Sequence, residues 1–265
     1  MSGQPVAVVV PVDGEFEPYR KLLTGMRRRD DSGPWEVYEG RAGERHLLII
    51  ISGAGPVNAA AATERLIARY EPSAVLHGGS AGAHNPDLLP GDVVIGSRYV
   101  IHTSRSVREA RVARGLNPSL IRYRQDGTYT SYPHIDADPT LLHHAERIAR
   151  AQSDRMGAWD APGWPPVVPR RPALVVSGVV ASADAWTVDE AELRVLHEDF
   201  GAECEDMESA YVAQVCALHR LPFVAVRVMS DNEGAQQLTA GDVPAAIAAA
   251  GERAARIIIA LAAEI

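Results

Sequence analysis

Unbroken apolar runs alternate with helical patterns along most of this chain. VAVVVPV (residues 6–12) is β-branched throughout, the pattern of a strand buried on both faces of a sheet. After Asp13-Gly14, EFEPYRKLLTGM (15–26) takes helical spacing, and Trp35–Gly40 and His46–Ser52, separated by Ala42-Gly43-Glu44, predict a hairpin. GAGPVNAAAATERLIARY (53–70) sets Pro56 near a helix start, and AVLHGG (74–79) predicts the next strand. Further strand patterns fall at 91–102, 173–182 and 222–230. Helical patterns cover Pro139–Gln152, Asp189–Phe200, Met207–Arg220 and Asp242–Ile265. Strands that alternate with helices predict an α/β fold with a mostly parallel sheet. No internal repeat or domain boundary interrupts the pattern, so residues 1–265 are read as a single domain.

Two stretches depart from it. Residues 103–138 are rich in Arg, Tyr, Pro and Asp, and 153–172 carry five prolines and two tryptophans; long aperiodic segments of this kind are functional loops or disordered excursions, and here they read as insertions. With 46% hydrophobic residues the chain can bury a sizeable core. The expected protein is cytoplasmic, because Met1–Pro5 lacks a basic start and apolar core and no run reaches the roughly 18 apolar residues of a membrane span. The two cysteines, Cys204 and Cys216, are too few for a disulfide scaffold and read as packing residues. A net charge of −8 disfavours nucleic-acid and anionic-membrane partners. Arg27-Arg28-Arg29, answered at once by Asp30-Asp31, reads as a solvated turn.

In open α/β sheets a ligand sits beyond the carboxyl ends of strands. That singles out 79-GSAGAHN-85, 182-SADAWT-187 and 230-SD-231. The first is a turn of small residues, either structural or open to close approach by a ligand; no Gly-Lys-Ser/Thr follows, so it is not a phosphate loop. Asp231 is a turn former, a helix cap or a catalytic acid, and Glu15 is a first-turn helix acid or a base. Acids crowd 203-ECEDMES-209 just ahead of an apolar run: Glu203 and Glu205 read as a solvated edge or strand approach, Asp206 as a helix cap. His143-His144 read as partly solvated, while His84 and His102 follow strands. No histidine spacing points to a metal site, and no metal or cofactor is expected.

These motifs, in this order, resemble the nucleoside phosphorylase and nucleosidase superfamily, above all its methylthioadenosine/S-adenosylhomocysteine nucleosidase branch. DMESAYVAQVCALHRLPFVAVRVMSD (206–231) is similar to that family's Met-Glu helix and the strand ending in Ser-Asp. Residues 79–102 are similar to its Gly-rich turn and Gly-Asp-Val strand, and 179–190 to its base-binding segment. The resemblance implies an α/β/α sandwich around a mixed, mostly parallel sheet, and a nucleosidase that hydrolyses the N-ribosidic bond of an adenosine-type nucleoside. It implies that Asp231, preceded by Ser230, is the acid at purine N7, with a raised pKa, and that Glu15 is the ionised partner of the attacking water. Ser80 and Gly82 lie near them. Met207 and an ionised Glu208 hold the ribose, Trp186 packs on the base, and Thr187 offers backbone groups to the purine edge. A homodimer is also implied.

An acid beside N7 improves the leaving group as the sugar becomes oxocarbenium-like. An ionised carboxylate is acceptor-only, which suits two ribose hydroxyls. Acids follow the first strand where phosphorylases of this superfamily carry an Arg, which favours water over phosphate; Arg41, Arg98 or a neighbouring subunit leaves a phosphorylase as the alternative, and a nucleoside-binding protein without turnover as the second. The resemblance departs at Ala83-His84, where the family has a second Gly, and at 232-NEGAQQLTAGDVP-244, which lacks an aromatic. Those departures leave the 5′ substituent open.

Overall fold

The computed structural model describes residues 3–29, 33–104, 107–108, 111–112, 120–123, 126–155, 171–232 and 241–265. The first apolar run forms β1 (Val6–Val10), every residue of it buried. Helix α1 (Asp13–Leu22) follows, with Asp13 and Glu15 in its first turn, where acids complement the helix dipole. The predicted helix stops short of Met26. Chain 24–29 instead forms β2 (Thr24–Arg29), because Gly25 turns left-handed and Arg27 and Arg29 both find Glu39. The arginine triplet is therefore an edge strand, and its charges suit an edge. β3 (Glu36–Ala42) and β4 (Arg45–Ile51) make the expected hairpin.

Helix α2 (Pro56–Tyr70) begins at the predicted proline. β5 (Ala74–Ala83) is longer than its apolar core: Gly79–Ala83, read as a turn, continues the strand because both flanks are paired there. β6 (Val93–Ile101) comes next. Of the first insertion, short pairs are described: β7 (Val107–Arg108) with β8 (Arg111–Val112), β9 (Leu120–Tyr123) with β10 (Tyr129–Tyr132), and β11 (Ile135–Asp136) on β6. Residues 105–106, 109–110, 113–119 and 124–125 of it, and most of the second insertion, lie outside the described residues. Helix α3 (Pro139–Arg155), β12 (Val175–Ser182) and α4 (Glu190–Phe200) follow. The acidic stretch forms a strand, β13 (Ala202–Asp206), so α5 (Ser209–His219) starts two residues later than its pattern predicts. β14 (Phe223–Asp231) and α6 (Val243–Glu264) end the chain.

The main sheet runs β11-β6-β12-β13-β5-β1-β4-β3-β2, with β14 paired to β5 and β6. Its ladders divide evenly: β1 with β4 and β5, β12 with β6 and β13, and β5 with β14 are parallel, while β2–β3, β3–β4, β5–β13, β6–β11 and β6–β14 are antiparallel. The sheet is mixed. Helix α6 packs on β5, β14, α1 and α3, and α5 packs on α2, β6 and β12. Cys204 and Cys216 are buried in the core as free thiols. Among the described residues no helix is long and apolar enough to cross a membrane.

Candidate active site

At Gly82, β5 lies between two acid-bearing strands: Asp231 of β14 is its partner on one side and Glu205 of β13 on the other. A cavity of about 180 Å³ opens here, at the carboxyl ends of the parallel strands β5 and β14. The nine residues given a role by the resemblance all line it: Glu15, Ser80, Gly82, Trp186, Thr187, Met207, Glu208, Ser230 and Asp231. Apolar wall comes from Leu193, Val243 and Ile247. Trp186 stands at the mouth, 56% exposed, so a flat ligand would cover it.

Glu15 is 2% exposed. Its Oε1 accepts the Ser80 N–H at 2.6 Å and the Ser80 hydroxyl at 2.8 Å, while Oε2 has no hydrogen-bond partner among the described residues. Burial pushes this carboxyl up, against the pull of the Arg227 guanidinium and the Ser80 donors. A carboxylate so destabilised takes a proton more readily, which is a base's requirement. Asp231 is also buried and accepts the Ser230 hydroxyl.

Glu208 departs from expectation. It stands at the cap of α5 without capping it, and its Oε1 turns instead to the Gly55 N–H, 2.8 Å away. Gly55 reaches this geometry at φ +94°, a region other residues rarely enter. Burial, reinforced by the neighbouring Asp206 charge, pushes the Glu208 carboxyl up to about 7; the helix end does not keep it ionised. Asp206 takes the capping work, accepting the N–H groups of Glu208 and Ser209 at 3.1 and 3.0 Å.

Sequence reasoning missed Arg227. It is fully buried on β14, with Nε 2.7 Å from Asp206, Nη2 3.6 Å from Glu208 and a hydrogen bond to His77. His77, whose Nδ1 bonds the Val9 carbonyl, is held neutral by burial and by this cation, its pKa down at about 3. The Arg227 charge in turn draws the Asp206 carboxyl down, despite burial. His77, Asp206 and Glu208 have the donor set of a metal site, but the guanidinium already stands among them, hydrogen-bonded to His77 and ion-paired with both acids, and would repel a cation. Gly79 leaves room for this packing: a Cβ there would stand 2.5 Å from Arg227 Nη1 and 2.8 Å from Glu15 Oε1.

Of the two readings offered for Glu205, the strand holds and the solvated edge does not. Glu205 is not solvated; it is 6% exposed and accepts from His102 Nε2, from the Thr187 N–H at 3.0 Å and from the Thr187 hydroxyl at 3.0 Å. His84 Nε2 lies 3.5 Å away. Burial opposes its charge, but the His102 hydrogen bond and the neighbouring His84 imidazole prevail and hold the carboxyl at about 2. The Thr187 N–H assigned by resemblance to the purine edge is thus engaged by Glu205.

The family model described as the phosphorylase superfamily matches residues 5–263, and the chain belongs to that superfamily. Within it, the chain is 29% identical over 230 residues to a 5′-methylthioadenosine/S-adenosylhomocysteine nucleosidase of Bacillus cereus, covering 86% of each chain. It is 32% identical over 201 residues to one from a Geobacillus species, covering 75% of this chain and 73% of that one. Two solved structures share the fold. The Neisseria meningitidis 5′-methylthioadenosine/S-adenosylhomocysteine nucleosidase in complex with methylthio-immucillin-A matches with a TM-score of 0.76 at 24% identity, covering 99% and 100% of the chains. The futalosine hydrolase of Helicobacter pylori matches at 0.75 and 19% identity, covering 99% and 98%.

Proposed function

We propose that this chain is an N-glycosyl hydrolase that cleaves the N-ribosidic bond of an adenosine-type purine nucleoside, releasing free base and ribose sugar. The observation that carries the reading is one cavity holding two buried acids with different surroundings: Glu15, anchored by Ser80 at one oxygen and with no partner for the other among the described residues, and Asp231 across Gly82. Asp231 donates to N7 as the bond to the anomeric carbon lengthens, and the electrons stay on the base. Glu15 orients a water on the opposite side of the sugar and takes its proton as the new C–O bond forms. Glu208 and Met207 hold the ribose, Trp186 covers the base, and Ser230 steadies Asp231.

Water is favoured over phosphate by the charge of the wall. Among the described lining residues there is no Lys or Arg. Arg41 lines a separate cavity, Arg98 pairs with Asp136 at 3.2 Å, and Arg227 is committed to Asp206. A phosphate dianion entering here would meet the Glu15 and Glu208 carboxyls with no Lys or Arg among the described lining residues to offset them. We read the whole chain as one domain of α/β/α sandwich build with the 103–138 and 153–172 segments as insertions, cytoplasmic and homodimeric, as the relatives' resemblance implies.

The experiment is a nucleoside panel assayed for released base with and without phosphate. Free base and free sugar in phosphate-free buffer are expected. Release that needs phosphate and yields ribose 1-phosphate identifies a phosphorylase, and binding without release identifies the non-catalytic alternative.

A further inference from the structure

His84 and Glu205 form a wall of the cavity that the mechanism above does not use. His84 is 7% exposed and lines the cavity, and both of its ring nitrogens, Nδ1 and Nε2, are buried with no hydrogen-bond partner among the described residues. A buried polar atom left this way is destabilising unless a ligand supplies a hydrogen bond. Of the two, Nε2 lies nearer a charge, 3.5 Å from the Glu205 carboxylate, without hydrogen-bond geometry. Glu205 is ionised and acceptor-only, so the imidazole proton is drawn to Nε2, and Nδ1 is left as an acceptor. Glu205 itself is occupied by His102 and by both donors of Thr187.

Position along the sheet says which part of a base meets that acceptor. Ser80 and Gly82 are two residues apart on β5, roughly 7 Å along the strand, and His84 follows just past the strand's end at Ala83, its N–H bonded to the Glu203 carbonyl at 2.9 Å. Ser80 marks the water end through Glu15, and Gly82 lies beside Asp231 at the N7 end. His84 comes next, away from the sugar. On a purine the substituent beside N7 is the one at carbon 6.

We infer that His84 is a specificity-determining residue whose Nδ1 accepts a hydrogen bond from the exocyclic amine of a 6-aminopurine, with Glu205 as the positioning residue that fixes the imidazole tautomer. A 6-oxopurine sets a carbonyl lone pair against the Nδ1 lone pair. Purine itself, with hydrogen at carbon 6, leaves Nδ1 unpartnered. Base choice thus rests on a side chain here, since the neighbouring Thr187 N–H is taken. The assignment rests on the nucleosidase reading.

The test pairs protein and ligand changes. Equilibrium binding of free adenine, hypoxanthine and purine is measured by calorimetry for the wild type and His84→Leu, alongside release of base from adenosine, inosine and purine riboside. The wild type is expected to prefer adenine over both other bases by about tenfold or more, and the preference over purine is expected to vanish in His84→Leu. An adenine-to-purine ratio unchanged by His84→Leu, or tighter binding of hypoxanthine by the wild type, overturns the assignment. Should His84→Leu fail to fold, Glu205→Gln carries the test: without the ionised anchor the adenine preference is expected to shrink, and full retention overturns the assignment. Binding with this pattern but no base release from any nucleoside would leave His84 as the reader and remove the hydrolase.

Discussion

Glu205 and Glu208 stand three residues apart, line the same cavity and are both almost fully buried, yet their carboxyls are displaced in opposite directions. Glu205 is held at about 2, Glu208 pushed up to about 7. Desolvation is the largest influence on each, so burial does not distinguish them. Donors do. Glu205 receives His102, Thr187 N–H and Thr187 hydroxyl, with His84 close by. Glu208 receives one N–H from Gly55, while Asp206 claims the nearer side of Arg227 and adds a repelling charge. One end of the cavity carries a fixed charge, and the other carries carboxyls poised to gain or lose protons.

The largest way to break this contrast is at the poised end. Glu15→Gln removes the base while keeping an acceptor for Ser80, and kcat is expected to fall by about 10²–10⁴-fold. In the wild type the acid limb of kcat/KM should lie above the ordinary carboxylate range, since the Glu15 pKa is raised and the base works only when unprotonated. A steady-state pH profile checks both.

Glu208→Gln is expected to act mainly on KM, raising it by about 10–100-fold, the loss of a charge-assisted hydrogen bond of about 1.5–3 kcal/mol. Ribose hydroxyls donate to the ionised form, so binding lowers the Glu208 pKa from about 7 and releases protons at pH 6–7. Calorimetry in buffers of different ionisation enthalpy should detect the release in the wild type and miss it in the variant.

Glu205→Gln should leave kcat within about tenfold, because this carboxylate does not touch the reacting atoms. Its signature is stability at low pH. A folded pKa near 2, below the usual carboxylate value of 4.5, means the Glu205 contribution is whole above 4.5 and lost as pH falls toward 2. Thermal melts across that window should fall less steeply in the variant.

Much of this was legible in the sequence, for a local reason. Runs such as VAVVVPV and PFVAVRVMS announce strands through their own residues, and small or acidic residues at strand ends are where α/β sheets place ligands. That rule alone collected Ser80, Trp186, Ser230 and Asp231. The unread parts depend on distant partners. β13 alternates acids with small residues and reads as solvent-facing, but His102 meets Glu205 from 103 residues away. Arg227 looks incidental inside an apolar run. A charged residue in a strand buried on both faces must be paired, which could have marked it, but the sequence does not say with which acids. Gly79–Ala83 read as a turn because strand propensity is poor there, and pairing on both flanks overrode it.

The most direct test of the account is single-turnover base release from adenosine in phosphate-free buffer, wild type against Asp231→Asn, with binding measured in parallel. The account predicts free adenine from the wild type, a fall of about 10²–10⁴-fold in the variant, and binding retained. Release at an unchanged rate by Asp231→Asn would contradict it.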